Sequence, residues 1–269
     1  MISTMMRWRF LNTGPQAGDY NMALDAAMAQ SGAINEPTLR VFKWQPDCIS
    51  LGYHQNAGEV DLEKCRRAGI EVARRPTGGR AILHAQELTY SVIIPATHAW
   101  FEILPLDIYR RLSEAIAAGL RDLGAAVNFA PGEKLHVEGR PLRMSCFASA
   151  ARNELLAGGK KIVGSAQRKF RQGILQHGSI LLDQAHDRLP EFLTGDESAR
   201  ETERRGLEDH TTTLRQVCGR LVDFDETMSA LRRGFAETWQ IDFFDGVIAE
   251  AENKLAEAWR ERFQILNTQ

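Results

Sequence analysis

The sequence predicts an α+β fold, with mixed, largely antiparallel sheets and helices packed along their flanks. Strand-like runs come in pairs joined by tight turns and not in regular alternation with helices, which argues against a doubly wound sheet. One long amphipathic helix pattern interrupts the strand pairs, and beyond Asp183 the pattern is helical to the end. At 269 residues, with 43% hydrophobic and 25% charged, the chain can bury a sizeable core and is not a disordered polymer. It reads as one domain over residues 1–269, with a core at about 7–182 and a mainly helical extension at 183–269.

A helix is expected to start near Asp19 as N-cap, with Met22, Ala26 and Ala29 on one face. Strands follow at residues 39–44 and 48–53 around a Gln45-Pro46-Asp47 turn. Residues 61–68 suit a short exposed helix ended by Gly69, and residues 70–74 a strand. A loop at 76–80 leads to a strand at about 88–94, stopped by Pro95. Residues 106–123 carry the clearest helix, with Ile108, Leu112, Ala115, Ile116, Gly119, Leu120 and Leu123 on one face and Gly124 closing it. Residues 154–157 and 160–169 form a hairpin around Gly158-Gly159, whose glycines supply positive φ, and residues 174–182 a further strand. Helices are expected at 225–239 and 249–263.

Charge narrows the function classes. Lys+Arg at 33 against Asp+Glu at 35 leaves −2, without the basic excess of a general nucleic-acid binder. No apolar run is long enough for a membrane span, and Arg7 and Arg9 fall where a signal peptide needs its apolar stretch, so a cytoplasmic protein is expected. Cys48, Cys65, Cys146 and Cys218 are scattered, without the spaced ligand pairs of a metal site, so no metal is expected. The charge is uneven: residues 134–171 carry +7, a local basic field that suits an anionic partner as well as a solvated face. Residues 183–210 carry −5.

Four segments could carry chemistry. Arg74-Arg75-Pro76-Thr77-Gly78-Gly79-Arg80, followed by Ala81-Ile82-Leu83-His84, sets paired glycines among arginines. Backbone N–H groups there could approach an anionic group, although Gly-Gly alone is commonly just a turn, and no P-loop pattern is present. In the strand at 160–169, alternation sets Lys161, Val163, Ser165 and Gln167 on one face, with Ile162, Gly164 and Ala166 on the other. Lys161 could steady a carbonyl oxygen, or be a solvated strand lysine. Cys146, in Arg143-Met144-Ser145-Cys146-Phe147, has the most favourable setting of the four cysteines for a thiolate, with burial beside Phe147 as the plain alternative. Finally, His177 in Gln176-His177-Gly178-Ser179 could carry a proton or satisfy neighbouring backbone.

RRPTGGRAILH, then GKKIVGSAQRKFRQGILQHGSILL, resembles the catalytic domain of the biotin/lipoate protein ligase superfamily from about residue 19 to 182. Ligases of that superfamily carry a third glycine and a His-Asp pair where Arg80 and Ala85 stand here. Cys146 falls where its cysteine-dependent octanoyltransferases carry their nucleophile. The resemblance therefore implies a catalytic domain that moves octanoate from octanoyl-acyl carrier protein to a lysine of the glycine-cleavage H protein or another lipoyl domain, through an acyl-cysteine. It implies no cofactor, Cys146 and Lys161 as catalytic residues, and substrate binding by Arg75, Gly78, Gly79, Arg80, His84, Gly164, Ser165, Ala166, His177 and Gly178. Gly78, Gly79 and the face carrying Lys161 would line the acyl slot. The alternatives within the superfamily are an ATP-dependent lipoate–protein ligase and an octanoyl-[H protein]:protein amidotransferase.

Overall fold

Two sheets and the helices around them account for most of residues 5–130 and 154–266, which this computed structural model describes. In chain order the first half contains β1 (Met6–Gln16), α1 (Gly18–Ser31), β2 (Thr38–Trp44), β3 (Cys48–Leu51), α2 (Leu62–Arg67), β4 (Glu71–Arg74), β5 (Ile82–His84), β6 (Glu87–Pro95), α3 (Pro105–Asp122) and β7 (Val127–Phe129). The second half contains β8 (Leu155–Ala157), β9 (Lys160–Lys169), β10 (Gly173–Leu181), a 3₁₀ segment Gln184–Phe192, α4 (Glu197–His210), α5 (Leu214–Cys218), α6 (Phe224–Trp239), β11 (Ile241–Asp245), α7 (Glu250–Phe263) and β12 (Gln264–Leu266).

The larger sheet runs β11-β1-β2-β6-β10-β9-β8-β7 and the smaller β12-β4-β3-β5. Among the described residues only β11–β1, β1–β2 and β3–β4 form parallel ladders, and the other ladders are antiparallel, which makes the fold α+β as the hairpin pattern predicts. β6 is buried on both faces. Leu88, Tyr90, Val92 and Ile94 point into a core shared with α3 and α6, while Ile93 faces a second core around α1. α3 and α6 meet through glycines: a Cβ on Gly119 would lie 2.5 Å from the Ala230 carbonyl, and one on Gly234 2.4 Å from that of Ala115. Only residues without a side chain allow backbones this close.

Several elements were not expected. β1 is concealed by its arginines, yet Arg9 is buried because it forms a bidentate pair with Glu252 of α7, at 2.7 and 2.9 Å. β11 and β12 lie in the stretch read as helical, and each adds an edge strand to a sheet built by much earlier residues. Asp19 is not the N-cap of α1, where Ala17 stands; its carboxylate binds Arg260 of α7 instead. Among the described residues no helix is long and apolar enough to cross a membrane.

Candidate active site

The two sheets meet at a narrow slot. β9 supplies Gly164, Ser165 and Ala166, and β10 supplies His177, Gly178 and Ser179. Opposite them stand Ser50 of β3, Ile82 and His84 of β5, and Arg75, while Trp44, Thr89 and Met22 close the inner side. Strand register explains the wall: His177 pairs with Ala166 and Ser179 with Gly164, so these four positions share one face. A Cβ on Gly178 would lie 2.3 Å from the Gly164 carbonyl oxygen, so packing alone demands glycine there. The open volume is about 20 Å³, little more than one water needs.

Two buried hydrogen-bond chains hold the walls, each centred on a histidine. In the first, Arg40 Nη1 binds Asp25 Oδ1 at 2.7 Å, with both side chains fully buried. Asp25 Oδ2 meets His177 Nδ1 at 3.1 Å, and His177 Nε2 meets Thr77 Oγ1 at 2.6 Å. Burial would raise the Asp25 carboxyl, but Arg40 with the hydrogen bonds from His177 and Ser91 holds it below its ordinary 3.8. Burial pushes His177 below its ordinary 6.5 against the opposing pull of Asp25, so the imidazole is neutral at pH 7. In the second chain, Ser50 Oγ meets His84 Nε2 at 2.7 Å and His84 Nδ1 meets Glu87 Oε1 at 2.8 Å. That same oxygen accepts from Thr89 at 2.5 Å and Ser179 at 2.8 Å. The Trp44 ring stacks on His84 at 4.0 Å and 12°.

The structure brings Arg75, His84, Gly164, Ser165, Ala166, His177 and Gly178 together around this slot. Gly78 and Gly79 are not among its lining residues. Gly79, at φ +100°, lies against Gly52, where a Cβ would fall 1.9 Å from the Gly79 carbonyl oxygen. Arg75 braces this loop by donating to the carbonyls of Ser50, Gly78 and Arg80. Arg80 is half-exposed and reaches Glu59. On β9 the slot is lined by Gly164 and Ala166 of one face and by Ser165, which alternation groups with Lys161. Lys161 is not among the slot's lining residues: its side chain is 2% exposed and its Nζ lies 2.6 Å from Glu154 Oε1.

Cys146 lies outside the described residues, as do Lys134, Arg140, Arg143 and Arg152 of the basic stretch. Of the others in that stretch, Arg168 donates to the Pro76 carbonyl and lies over the Tyr53 ring, and Lys169 donates to the Phe101 carbonyl. Burial pushes the Cys48 thiol well above its ordinary value and Cys65 up to about 11, and it raises Cys218 as well. None of these three offers a thiolate at neutral pH.

Sequence reasoning missed Asp25, Ser50, Trp44, Glu87 and Thr89. The available signal was an acid inside an apolar run, Asp25 within MALDAAMA, since an acid buried on a helix requires a partner.

The model of the "Lipoyl protein ligase A/B catalytic domain" family matches residues 17–236. A protein named Octanoyltransferase LipM from Kyrpidia tusciae is 40% identical over 262 residues, covering 94% of each chain. One of the same name from Bacillus subtilis is 37% identical over 235 residues, covering 85% of this chain and 84% of the relative. Among solved structures, a bi-partite lipoate protein ligase system from Thermoplasma acidophilum superposes with TM-score 0.78 at 28% identity, covering 96% of this chain and 93% of that one. A lipoate-protein ligase A bound with ATP superposes with TM-score 0.75 at 29% identity, covering 96% and 95%. On sequence and fold together, this chain belongs to the lipoyl protein ligase A/B catalytic domain family.

Proposed function

We propose that this protein is an octanoyltransferase of lipoate biosynthesis, taking octanoate from acyl carrier protein to a lysine of a lipoyl-type acceptor such as the glycine-cleavage H protein. The observation that carries the reading is near-full-length identity of 40% and 37% to proteins named Octanoyltransferase LipM. The Cys146 thiolate attacks the carbonyl of the octanoyl thioester, the tetrahedral oxyanion collapses with cleavage of the carrier's C–S bond, and the carrier sulfur leaves as a thiolate that takes its proton from solvent. The acceptor lysine, as free amine, then attacks the acyl-cysteine; the C–N bond forms, the Cys146 sulfur leaves as thiolate, and the nitrogen loses its extra proton. Thioester to amide is downhill, so no nucleotide is consumed.

Lys161 is assigned to the oxyanion, with its amine oriented by Glu154, because a buried donor acts more strongly than a solvated one. High thiol pKa values at Cys48, Cys65 and Cys218 support Cys146 as the nucleophile. The slot bounded by Gly164, Ala166 and His177 takes the acyl chain. At about 0.8 kcal/mol per buried methylene, chain length then governs binding.

Exposure to octanoyl carrier protein should add one octanoyl mass that hydroxylamine removes, and Cys146→Ala should abolish both the adduct and transfer to H protein. Wild-type transfer by Cys146→Ala refutes the covalent route. The ATP-bound structural relative motivates a second reading, ATP-dependent ligation, which pyrophosphate release with free lipoate would reveal.

A further inference from the structure

The slot is lined by Ser50, His84, Thr89 and Ser179, polar groups that are poor company for a methylene chain. Their protons have defined directions. Thr89 Oγ1 receives the Trp44 indole N–H at 2.7 Å, so its own proton goes to Glu87 Oε1. Ser179 also donates to that oxygen. Ser50 Oγ receives Arg75 Nη1 at 3.1 Å, so its proton goes to His84 Nε2, which leaves the His84 proton on Nδ1, aimed at Glu87. Glu87 itself is not among the slot's lining residues. It lines a separate cavity of about 310 Å³ that shares Trp44 and His84 with the slot.

We infer that Glu87 is a specificity-determining positioning residue: by collecting three protons on one oxygen from behind the wall, it turns the slot's donors outward and leaves a surface fit for an alkyl chain. This rests on the octanoyltransferase reading. Glu87 touches no reacting atom, and acts through Thr89, Ser179 and His84. Glu87→Gln retains an oxygen at the collecting position, so it should retain octanoyl preference. Glu87→Met removes the acceptor and frees two hydroxyls and an imidazole N–H to turn inward.

The test is a KM and kcat series with octanoyl carrier protein. Glu87→Met should raise KM about tenfold, the scale of one misplaced buried hydrogen bond, with kcat changed less than about threefold. Adding Thr89→Val and Ser179→Ala should bring KM back to within about threefold of wild type, a rescue that a merely structural role would not produce. An unchanged KM in Glu87→Met, or no rescue, overturns the inference. Should Glu87→Met not fold, the protonation site of His84 in the wild-type chain decides. Histidine ¹⁵N spectra of the full chain give an independent readout: His84 protonated on Nδ1 supports the inference, and on Nε2 overturns it. Wild-type protein that transfers no octanoate defeats the functional reading instead, and the spectra still report the tautomer.

Discussion

The two histidines that face each other across the slot are held by different electrostatics. His177 leans on Asp25, whose charge is balanced by Arg40 in a fully buried pair. His84 leans on Glu87, which has no cation among its described partners: one oxygen takes three donors and the other, Oε2, is buried without a hydrogen-bond partner. The first is a clamp that ties α1, β2, β10 and the 76–80 loop together. In the second, a single acceptor oxygen orients two hydroxyls and an imidazole. A buried carboxylate in the clamp is therefore needed for its charge, and one behind the His84 wall for an oxygen lone pair.

The same acid-to-amide change should separate them. Asp25→Asn strips the counter-charge from Arg40 and should cost about 3–5 kcal/mol in urea unfolding. A loss below about 1 kcal/mol would show that the pair is not the clamp's anchor. Acid should act next. His177 carries a lowered pKa in the fold, so its contribution is complete above 6.5 and declines as pH falls below that value. Asp25, also lowered, adds a second decline below 3.8. Thermal melts across both ranges should show two steps, with the lower one missing in Asp25→Asn. Thr77→Val removes one neutral hydrogen bond at the clamp's end and should cost about 1 kcal/mol. Glu87→Gln keeps the collecting oxygen, and its unfolding free energy should stay within about 0.5 kcal/mol of wild type; a loss on the Asp25→Asn scale would erase the distinction.

How much of this was legible depends on how local the signal is. Helix α3 and the Gly158-Gly159 hairpin announce themselves within their own residues, through apolar spacing and turn chemistry. β1 and β11 do not, because they pair with each other across more than 200 positions, and Arg9 looks exposed until Glu252 is known. In the site, the motif strings located His84, Gly164, Ala166 and His177. They did not say which face of β9 a neighbouring sheet covers: Gly164 and Ala166 line the slot together with Ser165, whereas Lys161 does not. Glu87 and Asp25 stand behind the wall, and their roles exist only through partners on other strands and helices.

The parallel pairing of β1 with β11 also sets an order of assembly. Trp8 and Phe10 are synthesised more than 200 residues before the ribbon that covers their outer flank, Ile241 to Asp245. Throughout elongation that flank is an unsatisfied row of amides beside large apolar groups, the kind of surface that recruits other nascent chains. Translation that stalls before residue 241 should therefore yield sticky fragments rather than a smaller working enzyme, and chaperone demand should peak just before that edge strand is supplied.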